Sequence, residues 1–271
     1  MTGQFPDMKS SEQAVLLTLQ RGLRLLEAVA QEHTTARTLS ERTGVKLGTC
    51  YNLLRTLGRE GYVTRLPGGR YELGSRLAFL QDRLRDRLAP EPELLAIMHR
   101  LHKQVNETTY VTGWYGNDIV LQRYLESAQS LRVGGLEIGY TEHTHARASG
   151  KAILAFLPKP RQRAYFQARE LAPLTRHTRT ALADILADLD ETAARGYALD
   201  LEEFADGICC IAAAFLDRTG FPVGSYAVSV PAIRFDVRAN ALATALREAA
   251  TEASAHFGWT GSPIPNRMRG R

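Results

Sequence analysis

The apolar residues of the first 75 positions recur with helical spacing in three short successive segments, and few folds accommodate that pattern. The segments cover residues 15–31, 36–43 and 47–60. In each, apolar side chains stand three or four positions apart, as on the buried face of a helix. Thr35 is suited to cap the second helix, and Gly44 stands where its end needs a left-handed residue. Few residues then remain before the third helix, which predicts a tight turn.

A short hairpin is predicted to follow these helices. Residues 62–65 and 70–73 have strand-like composition and flank Leu-Pro-Gly-Gly at residues 66–69, which favours a turn. Helix, helix, tight turn, helix and hairpin is the order of a winged helix-turn-helix. We therefore predict such a domain over residues 14–74, after a polar tail at residues 1–13 that we expect to be flexible.

The excess positive charge of the chain lies in this first part. Residues 1–88 carry 14 Lys and Arg against 9 Asp and Glu, whereas residues 89–271 carry 20 of each kind. A basic module joined to a neutral one is typical of nucleic-acid binding, because cationic side chains neutralise phosphates. Charge alone also fits a solvated basic face without a ligand, so the residue types of the third helix decide between the two.

The third predicted helix presents a surface suited to DNA. Its apolar residues share one face, so the opposite face is polar. Asn can pair with adenine and Arg with guanine or phosphate, while Thr and Tyr suit phosphate. An ordinary solvent face is the alternative for this helix alone, but two hairpin arginines and the local charge favour DNA. The predicted DNA-binding residues are Lys46, Gly48, Thr49, Tyr51, Asn52, Arg55, Arg65 and Arg70.

Residues 75–90 are predicted to form a linker helix between two domains. Leu77, Leu80, Leu84 and Leu88 form an apolar stripe among arginines, and Pro90 ends the helix. A lone amphipathic helix must bury such a stripe, and a second copy of itself is a common partner. We therefore expect a homodimer or a dimer of dimers that binds a pseudo-palindromic double-stranded DNA operator, since one recognition helix reads few base pairs.

Residues 91–259 are predicted to form a larger α+β domain, because strands and helices alternate there without a regular βαβ rhythm. Helices are predicted at residues 92–105, about 150–157, 179–194 and 236–256. Strands are predicted at residues 108–114, 118–125, 131–133, 197–201, 208–216 and 222–230. Residues 260–271 are rich in Gly, Pro and Arg, and we expect them to be disordered.

Several function classes are disfavoured. No apolar run approaches the roughly 18 residues of a membrane span, and the N-terminus lacks the apolar core of a signal peptide. We therefore expect a cytoplasmic protein that binds no membrane. Three cysteines without a CxxC spacing indicate reduced core thiols. Lys151 lacks the glycine and hydroxyl residues of a phosphate loop, and His143 and His145 have no identifiable third metal ligand. We expect no enzyme activity, no metal and no cofactor.

Several motifs resemble, in the right order, the isocitrate lyase regulator (IclR) family of transcription factors. The resemblance covers residues 20–259. The matching segments are 21–27 (RGLRLLE), 53–57 (LLRTL), 61–63 (GYV), 71–74 (YELG), 145–152 (HARASGKA) and 196–217. Leu47 and Gly48 depart from the Lys and Ser of many members, which affects the base contacts and not the fold.

The resemblance implies a GAF-like or PAS-like effector domain that holds a small organic acid or similar metabolite. Carried over residue by residue, it implies a pocket of Leu131, Ala148, Ser149, Gly150, Asp200, Ile208, Cys210 and Ser229. Backbone N–H groups where a helix opens near Ser149 suit a carboxylate. Asp200 would repel a carboxylate unless it accepts from a ligand hydroxyl or stays protonated. Ala227 replaces a serine of some relatives, which predicts a more apolar pocket.

Alternatives remain at this stage. Asp200 also fits a structural turn, and Cys210 a plain core position. A repressor and an activator share this architecture. A winged helix can also serve protein contacts, with the second domain as a dimerisation scaffold only; a steep loss of affinity with added salt would indicate DNA binding instead.

Overall fold

The computed structural model describes residues 16–32, 34–127 and 136–261 of the chain. These residues divide into two compact units, the first ending at Leu84 and the second beginning at Arg85. The division falls inside the predicted linker helix.

The first unit contains three helices and a three-stranded antiparallel sheet. The helices are α1 (Leu17–Gln31), α2 (Ala36–Thr43) and α3 (Leu47–Arg59). The strands are β1 (Thr34–Thr35), β2 (Val63–Arg65) and β3 (Arg70–Leu73), in the order β1-β3-β2. The predicted winged helix-turn-helix is confirmed. Strand β1 is an addition, because two residues are too few to show a strand period in the sequence.

Local sequence explains the close spacing of α2 and α3. The Thr35 hydroxyl accepts a hydrogen bond, at 3.4 Å, from a backbone N–H in the first turn of α2. Gly44 ends α2 with φ at 70°, a left-handed conformation that glycine adopts without steric cost. Leu25, Leu39 and Leu54, one from each helix, are at most 1% exposed and lie in the core. This packing turns the opposite face of α3 outward.

The linker helix is present as α4 (Arg76–Leu88). Leu80 and Leu84 are each 41% exposed, so this part of the predicted apolar stripe is free to meet a partner. Leu88 is only 2% exposed, and its place in an intersubunit stripe is wrong because the chain itself covers it. Phe79, which is 48% exposed, adds to the apolar surface instead.

Five antiparallel strands form the centre of the second unit. They lie in the order β5-β4-β8-β7-β6. The strands are β4 (Thr108–Tyr115), β5 (Asp118–Leu125), β6 (Ala198–Leu201), β7 (Ile208–Leu216) and β8 (Pro222–Pro231). The corresponding predictions are confirmed to within a residue or two. The strand predicted at residues 131–133 lies outside the described residues.

Helices cover both faces of this sheet. One face carries α5 (Pro92–Val105) and α9 (Ala232–His256). The other carries α6 (Ala148–Leu154), with α7 (Lys159–Gln167) and α8 (Leu182–Arg195) packed against it. The resulting helix, sheet and helix layers confirm the predicted α+β class. Within the described residues, no helix is long and apolar enough to cross a lipid bilayer.

Helix α7 is not predicted by the sequence pattern. It begins at Lys159-Pro160, where a proline is tolerated in the first turn but usually signals an interruption. Only Gln162, Tyr165 and Phe166 are buried, too few to give a clear apolar period. Helix α6 begins at Ala148, before its predicted start, because its first turn contains small residues that carry no periodic signal. Helix α9 begins four residues before its predicted start, at Ala232, and α8 begins three residues after its predicted start, at Leu182.

Candidate effector cavity and DNA-binding surface

A small cavity lies between α6 and the face of the sheet that it covers. Its volume is about 30 Å³. Of the predicted pocket residues, Ala148, Ser149, Asp200 and Cys210 line it, and strand pairing puts Asp200 directly opposite Cys210. The other lining residues are Tyr110, Thr112, Leu121, Leu136, Arg147, Phe204 and Ala227. Ala227 therefore supplies an apolar wall, as its residue type predicts.

Two of the remaining predicted pocket residues do not line the cavity, and a third lies outside the described residues. Ser229 is buried, and its hydroxyl oxygen lies 3.0 Å from that of Tyr110, so it meets the cavity lining through Tyr110. Ile208 is the first residue of β7 and pairs with Pro231, at the end of the strand and away from the cavity lining. Leu131 lies outside the described residues.

Gly150, the last of them, is a packing residue and not a lining residue. A Cβ atom at this position would lie 2.3 Å from Cγ2 of Thr144 and 2.9 Å from its carbonyl oxygen. Real side chains do not tolerate such contacts, so only a hydrogen fits. The glycine of the HARASGKA segment is thus explained by the close approach of Thr144 to the first turn of α6.

Asp200 is buried in the cavity wall and held by backbone donors. Its Oδ1 accepts hydrogen bonds from the backbone N–H groups of Glu203, at 2.7 Å, and Phe204, at 3.2 Å. Burial raises the pKa of Asp200 to about 7, although the charge of Lys151 and the two N–H groups oppose the rise. At neutral pH this carboxyl is therefore partly protonated, which weakens its repulsion of an anionic ligand.

The two adjacent cysteines are inert thiols on opposite faces of β7. Burial raises the pKa of the Cys210 thiol well above its usual range, and the charge of Asp200 raises it further. Cys209 belongs to the core beneath α5 and α9, where burial raises its pKa to about 11. Because the thiolate is the nucleophile, neither residue is set up for covalent chemistry.

Among the described residues of the cavity lining Arg147 is the one cation, and the residues carried over from the family resemblance do not include it. Its side chain is 4% exposed. Its Nη2 donates to the carbonyl oxygens of Ile119 and Thr141, both at 3.2 Å, and to Oγ1 of Thr144 at 3.4 Å. Its Nε has no hydrogen-bond partner among the described residues. Burial lowers the pKa of Arg147 to about 10, so the guanidinium is still positive at neutral pH.

Lys151 belongs to a buried ion cluster next to the cavity. Its Nζ lies 2.8 Å from Oδ2 of Asp188 and 2.7 Å from Oε1 of Glu203, and all three side chains are at most 5% exposed. Arg179 and Arg195 approach Asp188 from the more exposed side. The cluster joins α6 to α8 and to the connection between β6 and β7. Lys151 therefore holds the fold together, consistent with the failed phosphate-loop match.

An open cleft of about 340 Å³ contains the two histidines considered as metal ligands. His143 and His145 each have one ring nitrogen engaged, with a tyrosine hydroxyl at 2.7 Å and a backbone carbonyl at 3.0 Å respectively. In the part of the chain that the structure describes, one group of three closely spaced metal-ligating side chains occurs. It is Glu91, Glu93 and His256, on the exposed surface, and it includes neither cleft histidine.

The eight predicted DNA-binding residues from Lys46 to Arg70, here called the recognition face, lie on or next to α3 and on the wing of the first unit. Thr49 is half-buried and the others are exposed. On α3, Nη2 of Arg55 donates to Oδ1 of Asn52 at 3.0 Å, so an amide and a guanidinium are presented together. Arg65 ends β2 and Arg70 begins β3, which puts two cations on the wing.

These two units define a class of protein. A winged helix-turn-helix with a cationic outward face is built to bind duplex DNA, and a second unit with an internal cavity of mixed lining suits a small ligand. Together they make a DNA-binding transcription regulator that responds to a small molecule.

Comparison with known proteins shows the family. The family profile described as the IclR helix-turn-helix domain matches residues 18–67, and the profile described as the bacterial transcriptional regulator IclR C-terminal domain matches residues 93–255. The chain belongs to the IclR family, as its motifs predict.

Individual relatives are similar to this chain over most of its length. The glycerol operon regulatory protein of Streptomyces griseus is 30% identical over 247 residues, which cover 89% of this chain and 96% of the relative. The transcriptional repressor IclR of Escherichia coli (strain K12) is 27% identical over 256 residues, covering 89% and 90%. A solved structure of an IclR homolog from Microbacterium hydrocarbonoxydans, complexed with 4-hydroxybenzoate, shares the fold with a TM-score of 0.68 at 20% identity, covering 89% and 99%.

Proposed function

We propose that this protein represses its target genes and that a small organic acid in the cavity changes its affinity for operator DNA. The observation that carries the proposal is the presence, in one chain, of the Asn52–Arg55 pair on an exposed helix and of a cavity whose cation is buried. Two relatives support it: one is named a repressor, and another was solved with an organic acid.

The operator is found by selecting genomic fragments that bind the protein, followed by titration of a labelled fragment. Arg55→Ala should weaken operator binding by about 1–3 kcal/mol if Arg55 makes a bidentate base contact. Arg161→Ala, an exposed arginine on α7, is the matched control and should leave the affinity unchanged. Equal affinities of wild type and Arg55→Ala at one salt concentration would remove Arg55 from the interface.

Salt dependence separates this function from the rival use of a winged helix for protein contacts. Each phosphate contact adds a slope of about −0.9 to log affinity against log salt on B-DNA, because counterions are released. The cations of the recognition face therefore require a steep negative slope. A flat response would favour the protein-contact function.

The sense of regulation has its own test. Transcription in vitro from the selected fragment should fall when the protein is added, since operator occupancy blocks the promoter. A rise in transcript would make the protein an activator and would contradict the repressor assignment while preserving DNA binding.

The proposed assembly is a homodimer or a dimer of dimers on a pseudo-palindromic site. Helix α1 leaves Leu16, Leu19 and Leu23 more than half exposed at positions that share one face. Phe79, Leu80 and Leu84 are exposed on α4. Exposed apolar surface of this extent is typical of an interface, and pairing it between two copies would supply two recognition faces for two half-sites.

A further inference from the structure

Arg147 differs from Lys151, the other buried cation among the described residues of the second unit, because no carboxylate lies within ion-pairing distance of it. Buried Lys151 contacts two carboxylates, and buried Glu107 contacts the guanidinium groups of Arg234 and Arg238. Within the described residues, Arg147 has no carboxylate oxygen within 4 Å and its Nε is unsatisfied. An unpaired buried charge is expensive in free energy, and where it persists it often marks a functional site.

The groups around Arg147 position it without neutralising it. Three neutral oxygens accept from Nη2, and the ring of Tyr140 lies 5.2 Å from the guanidinium carbon. These contacts fix the direction of the side chain and lower the cost of its burial. Asp200, the acid of the same cavity, directs Oδ1 to two backbone N–H groups and forms no ion pair with Arg147. Among the described residues no ion pair therefore neutralises Arg147, although the exposed Glu142 carboxylate acts on it from beyond ion-pairing distance.

We propose that Arg147 binds the anionic group of the effector and so selects a small acid with an apolar body over uncharged compounds of the same shape. The inference rests on the proposed function, since it takes the cavity as the effector site. A carboxylate oxygen that accepts from Nε would give that buried donor a partner and neutralise the charge where water screens it little. The walls formed by Leu121, Leu136 and Ala227 suit the apolar remainder.

The first test uses formate and acetate on the full-length protein, with formamide and acetamide as uncharged matches. These probes are chosen because the cavity is only about 30 Å³. Sodium chloride holds the ionic strength constant, and thermal unfolding reports binding, since a ligand of the folded state raises Tm. The acids should raise Tm at lower concentrations than the amides. Equal responses to acid and amide would overturn the proposal.

Paired variants locate the effect. Arg147→Met removes the charge while keeping an apolar side chain of similar length, and should weaken the response to the acids roughly ten- to hundredfold. Arg169→Met removes a cation that already has a carboxylate partner, Asp118, in the neighbouring cleft, and should keep the wild-type response. An acid preference that survives in Arg147→Met would show that another group holds the anion.

A measurement on the wild type keeps the proposal testable if Arg147→Met does not fold. The Nε–Hε signal of Arg147 in a nitrogen–proton NMR spectrum can be assigned by its absence in Arg147→Lys. It should move on addition of formate and stay in place with formamide. A signal that ignores formate contradicts the proposal.

The proposed function and this inference fail in distinguishable ways. Formate binding at Arg147 in a protein that does not bind operator DNA would support the anion site and refute the proposed function. Release of operator DNA by acids that persists in Arg147→Met would support the function and refute the assignment of Arg147.

Discussion

Gly150 shows how little room one backbone position of α6 has. Gly150→Ala would bring a Cβ to 2.3 Å from a Thr144 methyl carbon and should destabilise the second unit by about 1–3 kcal/mol through overpacking. Denaturant unfolding measures the change. Gly48→Ala is the control, because Gly48 is also helical and no atom lies within 4 Å of its added Cβ. That variant should be neutral or slightly more stable. Equal behaviour of both variants would contradict the packing argument.

Asp200 makes stability depend on pH. Its folded pKa is about 7, above the ordinary value of 3.8, so the folded state binds the proton more tightly than the unfolded state. The contribution of Asp200 to the free energy of unfolding is therefore fully present below about pH 4 and is lost as the pH rises to about 7. The loss is on the order of 4 kcal/mol. Denaturation across this range should show the decline in the wild type.

Asp200→Asn should remove that part of the decline, since the amide keeps an oxygen for the backbone donors and has no charge to desolvate. The variant should therefore gain stability over the wild type at pH 8 and match it more closely at pH 5. Asp206→Asn, an exposed acid on the same connection, should leave the pH profile as it is. A profile that Asp200→Asn does not alter would disprove the burial effect.

Some residues of the cavity lining can be predicted from the sequence and others cannot. Asp200 and Cys210 are found because the family resemblance carries them over and strand register then pairs them. From the HARASGKA segment the resemblance carries over Ala148, Ser149 and Gly150, but it assigns Arg147 no role. A charged residue next to small residues was the only sign in the sequence that Arg147 belongs to the cavity. That its Nε lacks a partner depends on tertiary contacts, which no sequence pattern contains.

At the scale of elements, α4 offers the clearest test of assembly. Leu80→Asp or Leu84→Asp puts a charge on an apolar surface that we expect to meet a second copy, so the oligomer should dissociate while each unit stays folded. Ala78→Asp places the same charge on a different, exposed face of α4 and should preserve the oligomer. Sedimentation velocity measures both. An unchanged oligomer in the leucine variants would move the interface elsewhere.

Periodicity predicts elements well where one face is apolar and the other polar. Helix α3 meets that condition and was found to within a residue. Helix α4 meets it too, but the spacing of its leucines does not show which of them are buried against the rest of the chain. Leu88 is covered and Leu84 is not, a difference that depends on packing beyond the helix.

At the scale of the molecule, the two units arrange their charged side chains differently. Many of its charged side chains are paired with each other, as in the clusters around Lys151 and Glu107. The cations of the recognition face are exposed instead. Counting charged residues along the sequence is enough to predict that the excess positive charge lies in the first part of the chain. Which of the charges pair with each other depends on the fold.

The water-sized cavity implies a trade-off between affinity and efficacy. An acid larger than formate must push lining side chains aside, so part of its binding energy is used in reshaping the domain, and we expect that reshaping to change the affinity for DNA. Phe204→Ala would make the space in advance. It should bind acetate more tightly than the wild type, measured by calorimetry, yet change operator affinity less when saturated. Tighter binding with an undiminished response would mean that the signal does not come from opening the cavity.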